Sequence, residues 1–357
     1  MSTSPAEKPT VDVHAHILLP ALQQLVAEAD PEGFGAQQAL EVRRNGPESM
    51  AASGKMIKER WPQLTDLDRR LADMDAQGVD VQLVSPSPSH FYYFAAEELA
   101  LQVAKAANQA VREFVDRAPE RLNGLGLVPL QHPSLMVEAL DHAMLECGLL
   151  GVEIGSFAAT PTDPERSTVE LSDPRLEPFW SRAEELGALV FLHPFGCSLD
   201  ERLDRFYLAN TVSQPAENAV ALSHLIFSGV LDRHPDLRVL AAHGGGYLPT
   251  SLGRSDHAWR VRPEARGCAE PPSSYVKKLF FDSLVHSPAE LRALVAAAGP
   301  GQVLLGSDYP FDMGSDRPVA EVIEAQLSAE DEARVLAGNA AALGITPASI
   351  LTARRTA

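Results

Sequence analysis

The sequence predicts an α/β fold, a closed (β/α)8 TIM-like barrel with a small insertion after its first strand. Three observations carry this. Eight short apolar segments begin near residues 11, 81, 124, 151, 188, 237, 278 and 302. Nearly all are separated by stretches of helical period, which makes the sheet parallel and covers it with helices. Four of the eight end in side chains that can hold a metal or move a proton, and a barrel gathers such strand ends on one face. An open, doubly wound sheet is the alternative arrangement of the same alternation.

Composition narrows the partners. The 357-residue chain is 45% hydrophobic and 22% charged, the balance of an ordinary globular protein. Its formal charge of −18 repels nucleic acid and anionic membrane surfaces, which leaves small molecules or another protein. Three scattered cysteines, Cys147, Cys197 and Cys268, cannot form a disulfide framework and suit a reducing cytoplasm. No apolar run reaches membrane-spanning length, and residues 1–8 have no signal-peptide core. Residues 1–9 read as a disordered lead-in, 10–345 as the barrel and 346–357 as a C-terminal tail.

The first strand is Val11-Asp12-Val13-His14-Ala15-His16. Strand side chains alternate faces, so His14 and His16 point the same way and can share one ion. From Ile17 to about Gln63 the chain holds prolines at 20, 31, 47 and 62, glycines at 33, 35, 46 and 54, and no sustained period. It reads as an irregular insertion with some small structure of its own, packed over one end of the fold. A helix follows from Asp66, stopped by Gly78.

The alternation then runs almost unbroken. Val81 to Pro86 is a buried strand, Ala95 to Arg117 a long helix and Gly124 to Pro129 strand-like. A helix from Ser134 to Cys147 leads to Gly151 to Gly155. A loop rich in Pro and Thr spans residues 159–170, before a helix near Arg175 to Leu186. Ala188 to His193, a helix across Pro215 to Leu231, and Leu237 to His243 follow. Lys278 to Asp282, a helix from Pro288 to Ala298, Gln302 to Asp308 and a last helix from Ser328 to Leu343 complete the series.

His14, His16, His193, His243 and Asp308 therefore converge on one mouth. Three imidazoles and a carboxylate suit a divalent transition ion such as zinc, one per chain, with a position left open for water. The ligands are assigned as His14, His16, His193 and Asp308. His243 then stands beside the ion, placed for general acid/base work near neutral pH. Taken singly, each has a plainer reading: a buried strand end for His193, a turn for Asp308, a glycine turn after His243. Cys197 reads as a packed thiol, and the aromatic run 90–94 as either a pocket wall or loop-anchoring core.

His14-Ala15-His16, His193-Pro194, His243-Gly244-Gly245-Gly246 and Gly306-Ser307-Asp308-Tyr309-Pro310-Phe311 resemble, in order, the motifs of the amidohydrolase superfamily. The branch is that of aminocarboxymuconate-semialdehyde decarboxylase, and the resemblance runs from about residue 10 to about 343. It implies one zinc, non-oxidative decarboxylation without pyridoxal or flavin, and a homodimer. The fourth strand, Gly151-Val152-Glu153-Ile154-Gly155, lacks the lysine that two-metal members commonly carry. The resemblance also implies two substrate-binding arginines. One is matched by Arg254, in the position that reaches the partner's site. The other falls on Lys58 when counted without gaps, and lysine lacks the bidentate fork. Phe195 stands where a tryptophan is implied.

Together with the resemblance, these readings imply a metal-dependent carbon–carbon lyase releasing CO2 from an unsaturated or aromatic carboxylic acid. His243 and Asp308 are then expected as its catalytic groups, and the resemblance implies substrate contacts at Arg254, Lys58 and Phe195. A hydrolase or hydratase acting on an amide, lactone or unsaturated acid is the alternative, because the same ligands serve both. A non-catalytic binding barrel would leave the ligand set without a purpose.

Overall fold

A computed structural model describes residues 9–159 and 168–347. The expected lead-in and tail lie almost wholly outside these residues. The eight barrel strands are β1 (Val11–Ile17), β2 (Val81–Pro86), β3 in two pieces (Leu122–Gly124 and Gly126–Leu127), β4 (Gly151–Ile154), β5 (Leu189–Leu192), β6 (Arg238–Ala241), β7 (Phe280–Asp282) and β8 (Val303–Leu304). Every neighbouring pair from β1 to β8 is parallel. The Leu125 amide donates to Val84 (2.9 Å) and that of Leu150 to Gly124 (3.0 Å), which carries the sheet across the break in β3. Closure comes from the Ala15–Tyr309 bridge and the Val13 amide donating to Leu305 (2.8 Å). The alternation thus closes into a barrel and not an open sheet.

Two apolar layers hold it. Val11, Val13, Leu83, Leu125, Leu189, Phe191 and Leu240 fill the interior. Val84, Val152, Val190 and Val239 face outward against helices that include α6 (Glu97–Val115) and α9 (Gln214–Phe227). The strands carry apolar residues on both faces because both faces are covered.

The segment after β1 is a set of helices and not irregular chain: α1 (Pro20–Ala29), α2 (Pro31–Asn45), α3 (Pro47–Glu59) and α4 (Trp61–Thr65). The prolines that read as breakers all lie in first turns, where an amide has no intrahelical partner to lose. This helical insertion covers the C-terminal mouth. The Arg43 Nε donates to Asp200 beyond β5 (2.9 Å), and the Arg60 Nη1 to the Pro310 carbonyl beyond β8 (2.9 Å).

α5 (Leu67–Gln77) is capped by Asp66 and ends at Gly78 with φ +74°, as expected. The 134–147 and 328–343 helices are each interrupted by a five-residue wide turn, at His142–Glu146 and Arg334–Gly338. The helix expected over 215–231 breaks at Gly229 (φ +72°), giving α9 and a short turn, Val230–Arg233. Within the loop expected over 159–170, Thr168–Glu170 pairs back on Phe157–Ala159 as an antiparallel hairpin.

β1 is not a regular strand. Asp12 faces Gln82 and Ala15 faces Val84, so Val13 and His14 together oppose the single residue Leu83. This is a β-bulge, and it reverses the alternation of faces. Val13 packs in the interior cluster, and the next residue, His14, also lies inward with its ring 4.9 Å from that of Phe191.

Candidate metal centre

His14 and His16 on β1, His193 just past β5 and Asp308 past β8 offer ligand atoms that all lie within 4.8 Å of one another. All four residues are buried. The Nε2 atoms of His14 and His16 are 3.1 Å apart, and Asp308 Oδ1 lies 3.4 Å and 3.2 Å from them. Ligand atoms sharing an ion at about 2.0–2.1 Å stand roughly 3 Å apart, so this spacing fits one cation. His193 Nε2 and Asp308 Oδ1 are buried without hydrogen-bond partners, as metal-facing atoms would be.

Each imidazole is turned by what its other nitrogen touches. His14 Nδ1 lies 2.6 Å from Asp282 Oδ2, His16 Nδ1 3.1 Å from the Ser85 hydroxyl and His193 Nδ1 3.0 Å from the Pro194 carbonyl. With Nδ1 engaged in all three, Nε2 is the atom offered to the centre. Asp282 does more, accepting from the amides of His243 and Gly244 at 2.8 Å each. Sequence reasoning gave Asp282 and Ser85 no role. Their signal was a carboxylate ending β7 and a hydroxyl ending β2, both at the level where the ligands emerge.

Electrostatics separate the histidines. Burial pulls His16 down to about 4 and His193 well below its ordinary value, so both are neutral ligands at pH 7. Burial pulls on His14 too, but the carboxylates of Asp308 and Asp282 outweigh it and raise the imidazole to about 10. Against the upward push of burial, His14 and its neighbours hold Asp308 well below the usual carboxylate range. On β4, Glu153 is fully buried, and desolvation lifts its carboxyl well above that range. Glu153 lies outside the group of four ligand residues.

His243 lies outside the group of four. Its Nε2 is 3.6 Å from Asp308 Oδ2, and its ring centroid is 5.0 Å from that of His193. With Asp308 it lines a cavity of about 510 Å³ that also touches Tyr247, Leu284, His286 and Met313. His243 (φ +53°), His286 (+55°) and Asp308 (+55°) all hold left-handed backbone around this cavity. Such strain in residues other than glycine concentrates at functional sites.

None of the expected substrate contacts Lys58, Arg254 and Phe195 lines this cavity. Lys58 is exposed in the last turn of α3 and does not line the cavity. The insertion is helical, so a side chain's position along it is set by turns, and Arg60 is the residue that reaches the mouth. Arg254 is exposed in the first turn of the helix Gly253–Val261, away from its own chain's cavity. Phe195 is half-buried and packs T-shaped with Phe91, 6.2 Å between centroids. Cys197 is a buried thiol. The 90–94 run anchors a loop: His90 Nε2 accepts from the Leu19 amide, Phe91 stacks on Tyr93 and the Tyr93 hydroxyl accepts from Gly155.

A closed parallel barrel with three imidazoles and a carboxylate converging at its C-terminal mouth defines a metal-binding barrel of the enzyme type. The chain belongs to the amidohydrolase family, whose model matches residues 11–343. It is 34% identical over 342 residues to 2-amino-3-carboxymuconate-6-semialdehyde decarboxylase of Dictyostelium discoideum, covering 94% of this chain and 92% of that one. It is 29% identical over 324 residues to gamma-resorcylate decarboxylase of Rhodococcus jostii, covering 85% and 97%. Among solved structures, it shares its fold with a dihydroxybenzoic acid decarboxylase from Polaromonas with bound manganese and the inhibitor 2-nitroresorcinol. There the TM-score is 0.78 at 22% identity, over 94% of this chain and 96% of that one.

Proposed function

We propose that this protein is a metal-dependent, non-oxidative decarboxylase acting on an unsaturated or aromatic carboxylic acid. The observation that carries the reading is the ligand group His14, His16, His193 and Asp308, whose Asp308 lines a cavity together with His243. The 34% identical decarboxylase aligned over 94% of the chain supports it.

His14, His16, His193 and Asp308 would hold one divalent ion, zinc or another transition metal, which supplies a positive charge to stabilise developing negative charge on the substrate. Asp308 Oδ2 stands 3.6 Å from His243 Nε2, on the ligand side of the imidazole. His243 Nε2 holds the proton that replaces departing CO2 on the carbon, so one C–C bond breaks and one C–H bond forms. Val285, Leu294 and Met313 supply apolar walls that exclude water from that carbon.

The finer reading is a homodimer with Arg254 serving the neighbouring subunit's site. Arg254 is exposed, and Tyr247 and Val261, nearby in sequence, are large exposed apolar side chains that suit a subunit contact. A cytoplasmic setting agrees with three free, buried cysteines. No helix among the described residues is long and apolar enough to cross a membrane.

The test is CO2 release from a panel of unsaturated and aromatic acids by protein loaded with zinc or manganese. Turnover that vanishes with chelator and returns with metal is the expected result. Metal-dependent hydrolysis of amides or lactones, with no CO2 from any acid, would replace this reading with the hydrolase one.

A further inference from the structure

The outward side of the β1 bulge carries a polar chain that the site chemistry does not use. Arg70 of α5, Gln82 of β2, Asp12 of β1 and Ser307 beyond β8 are all fully buried. A barrel strand normally packs apolar residues against its helix, and sealing a guanidinium, an amide and a carboxylate there costs free energy unless each is bonded.

Here they are bonded in series. Arg70 Nη1 donates to Gln82 Oε1 (2.6 Å), and Gln82 Nε2 donates to Asp12 Oδ2 (2.9 Å). Asp12 Oδ1 accepts from the amides of His14 and Ser307, each at 3.0 Å, and Oδ2 accepts from the Ser307 hydroxyl (2.6 Å). Arg70 Nη2 donates to the carbonyls of His16 (2.5 Å) and Gln63 (3.2 Å). Its guanidinium carbon lies 4.8 Å from the centroid of the Tyr309 ring, next to Asp308.

These bonds end on the backbone of two ligands, His14 and His16, and on the flanks of a third, Asp308. The bulge is what turns His14 inward directly after Val13, and a slip of one residue in a strand moves its side chains to the other face. The carboxylate of Asp12 takes the His14 amide at the bulge and ties it to the end of β8.

We propose that Arg70, Gln82 and Asp12 are positioning residues for the metal centre, holding the β1 bulge and the β8 end so that His14, His16 and Asp308 meet at one ion. The inference rests on the metal-site part of the reading above and not on the reaction assigned to it.

Cobalt titration of metal-free protein tests it, with the visible absorption of bound Co2+ reporting ligand geometry. Arg70→Met keeps the apolar stem and deletes the donors; Gln82→Met removes only the middle link. Both variants are expected to keep the wild-type circular dichroism, to bind Co2+ about 10- to 100-fold more weakly and to show a shifted cobalt spectrum. Arg70→Lys, with the charge but no fork, recovers part of the affinity. Folded Met variants that bind Co2+ with wild-type affinity and spectrum would overturn the proposal and leave the chain a packing feature. Should Arg70→Met fail to fold, Gln82→Met decides on the same readouts. Failure of the decarboxylase reading alone would leave these binding results standing.

Discussion

At the scale of single residues, the site is a set of imidazoles whose outer nitrogens are already committed. Asp282 is the busiest of these partners, holding His14 and the turn after β6 together. Asp282→Asn is expected to weaken metal binding by about 10- to 100-fold, read by chelator competition. His243 lies outside the ligand group and is proposed above to move the proton. His243→Ala is expected to keep one metal per chain by elemental analysis while CO2 release falls on the order of 10²-fold or more; metal lost in parallel would make it a ligand. Protonation gives a third check. Without metal, Asp308 and Asp282 raise His14 to about 10, so an incoming ion displaces its proton, whereas His16, lowered to about 4, is already neutral. Metal affinity should therefore rise with pH, by about tenfold per unit between pH 6 and 8, for one proton released. Affinity flat across that range would show His14 neutral in the metal-free protein.

At the scale of elements, strands and turns differ in what they tolerate. The turn after β6 runs His243-Gly244-Gly245-Gly246, and Gly246 (φ +65°) passes so near α9 that a Cβ would stand 2.1 Å from the Pro215 carbonyl oxygen. Gly246→Ala is expected to destabilise the fold by about 3 kcal/mol or more, seen as a lowered denaturant midpoint, and to disturb His243 with it. The insertion shows the opposite case, since prolines in first helical turns cost nothing in hydrogen bonds. Its helices bring Arg43 and Arg60 to the mouth loops, a placement that no period in the sequence revealed because few of their residues are buried.

At the scale of the molecule, the cavity is walled on one side by β6 and β7 loops and opens where Tyr247 is half exposed. If Arg254 serves a neighbouring subunit's site, as proposed above, its planar fork can take a carboxylate in two bonds. Arg254→Ala and His243→Ala chains, each nearly inactive alone, should then recover activity when mixed and allowed to exchange. A heterodimer has one site with both defects and one with neither, so about half the wild-type rate per dimer is expected if sites act independently. No recovery in heterodimers shown to form would place Arg254 outside the reaction.

What the sequence determined alone is the eight-fold alternation and the residues that end its strands. Both are local: apolar runs between helical periods, then a polar residue, and barrel closure brings such ends together whatever the loops do. His14, His16, His193, His243 and Asp308 were legible for that reason. Tertiary structure decided the rest. Lys58 is exposed on its helix and does not line the cavity, because helical turns and not residue count fix where the insertion's side chains lie. Asp282, Ser85 and the Arg70–Gln82–Asp12 chain act through partners 69, 268 or 70 residues away in sequence, such as Ser85 with His16, Asp282 with His14 and Gln82 with Asp12. The bulge in β1 depends on which residues of β2 stand opposite, and a strand's register exists only once its neighbour has paired with it.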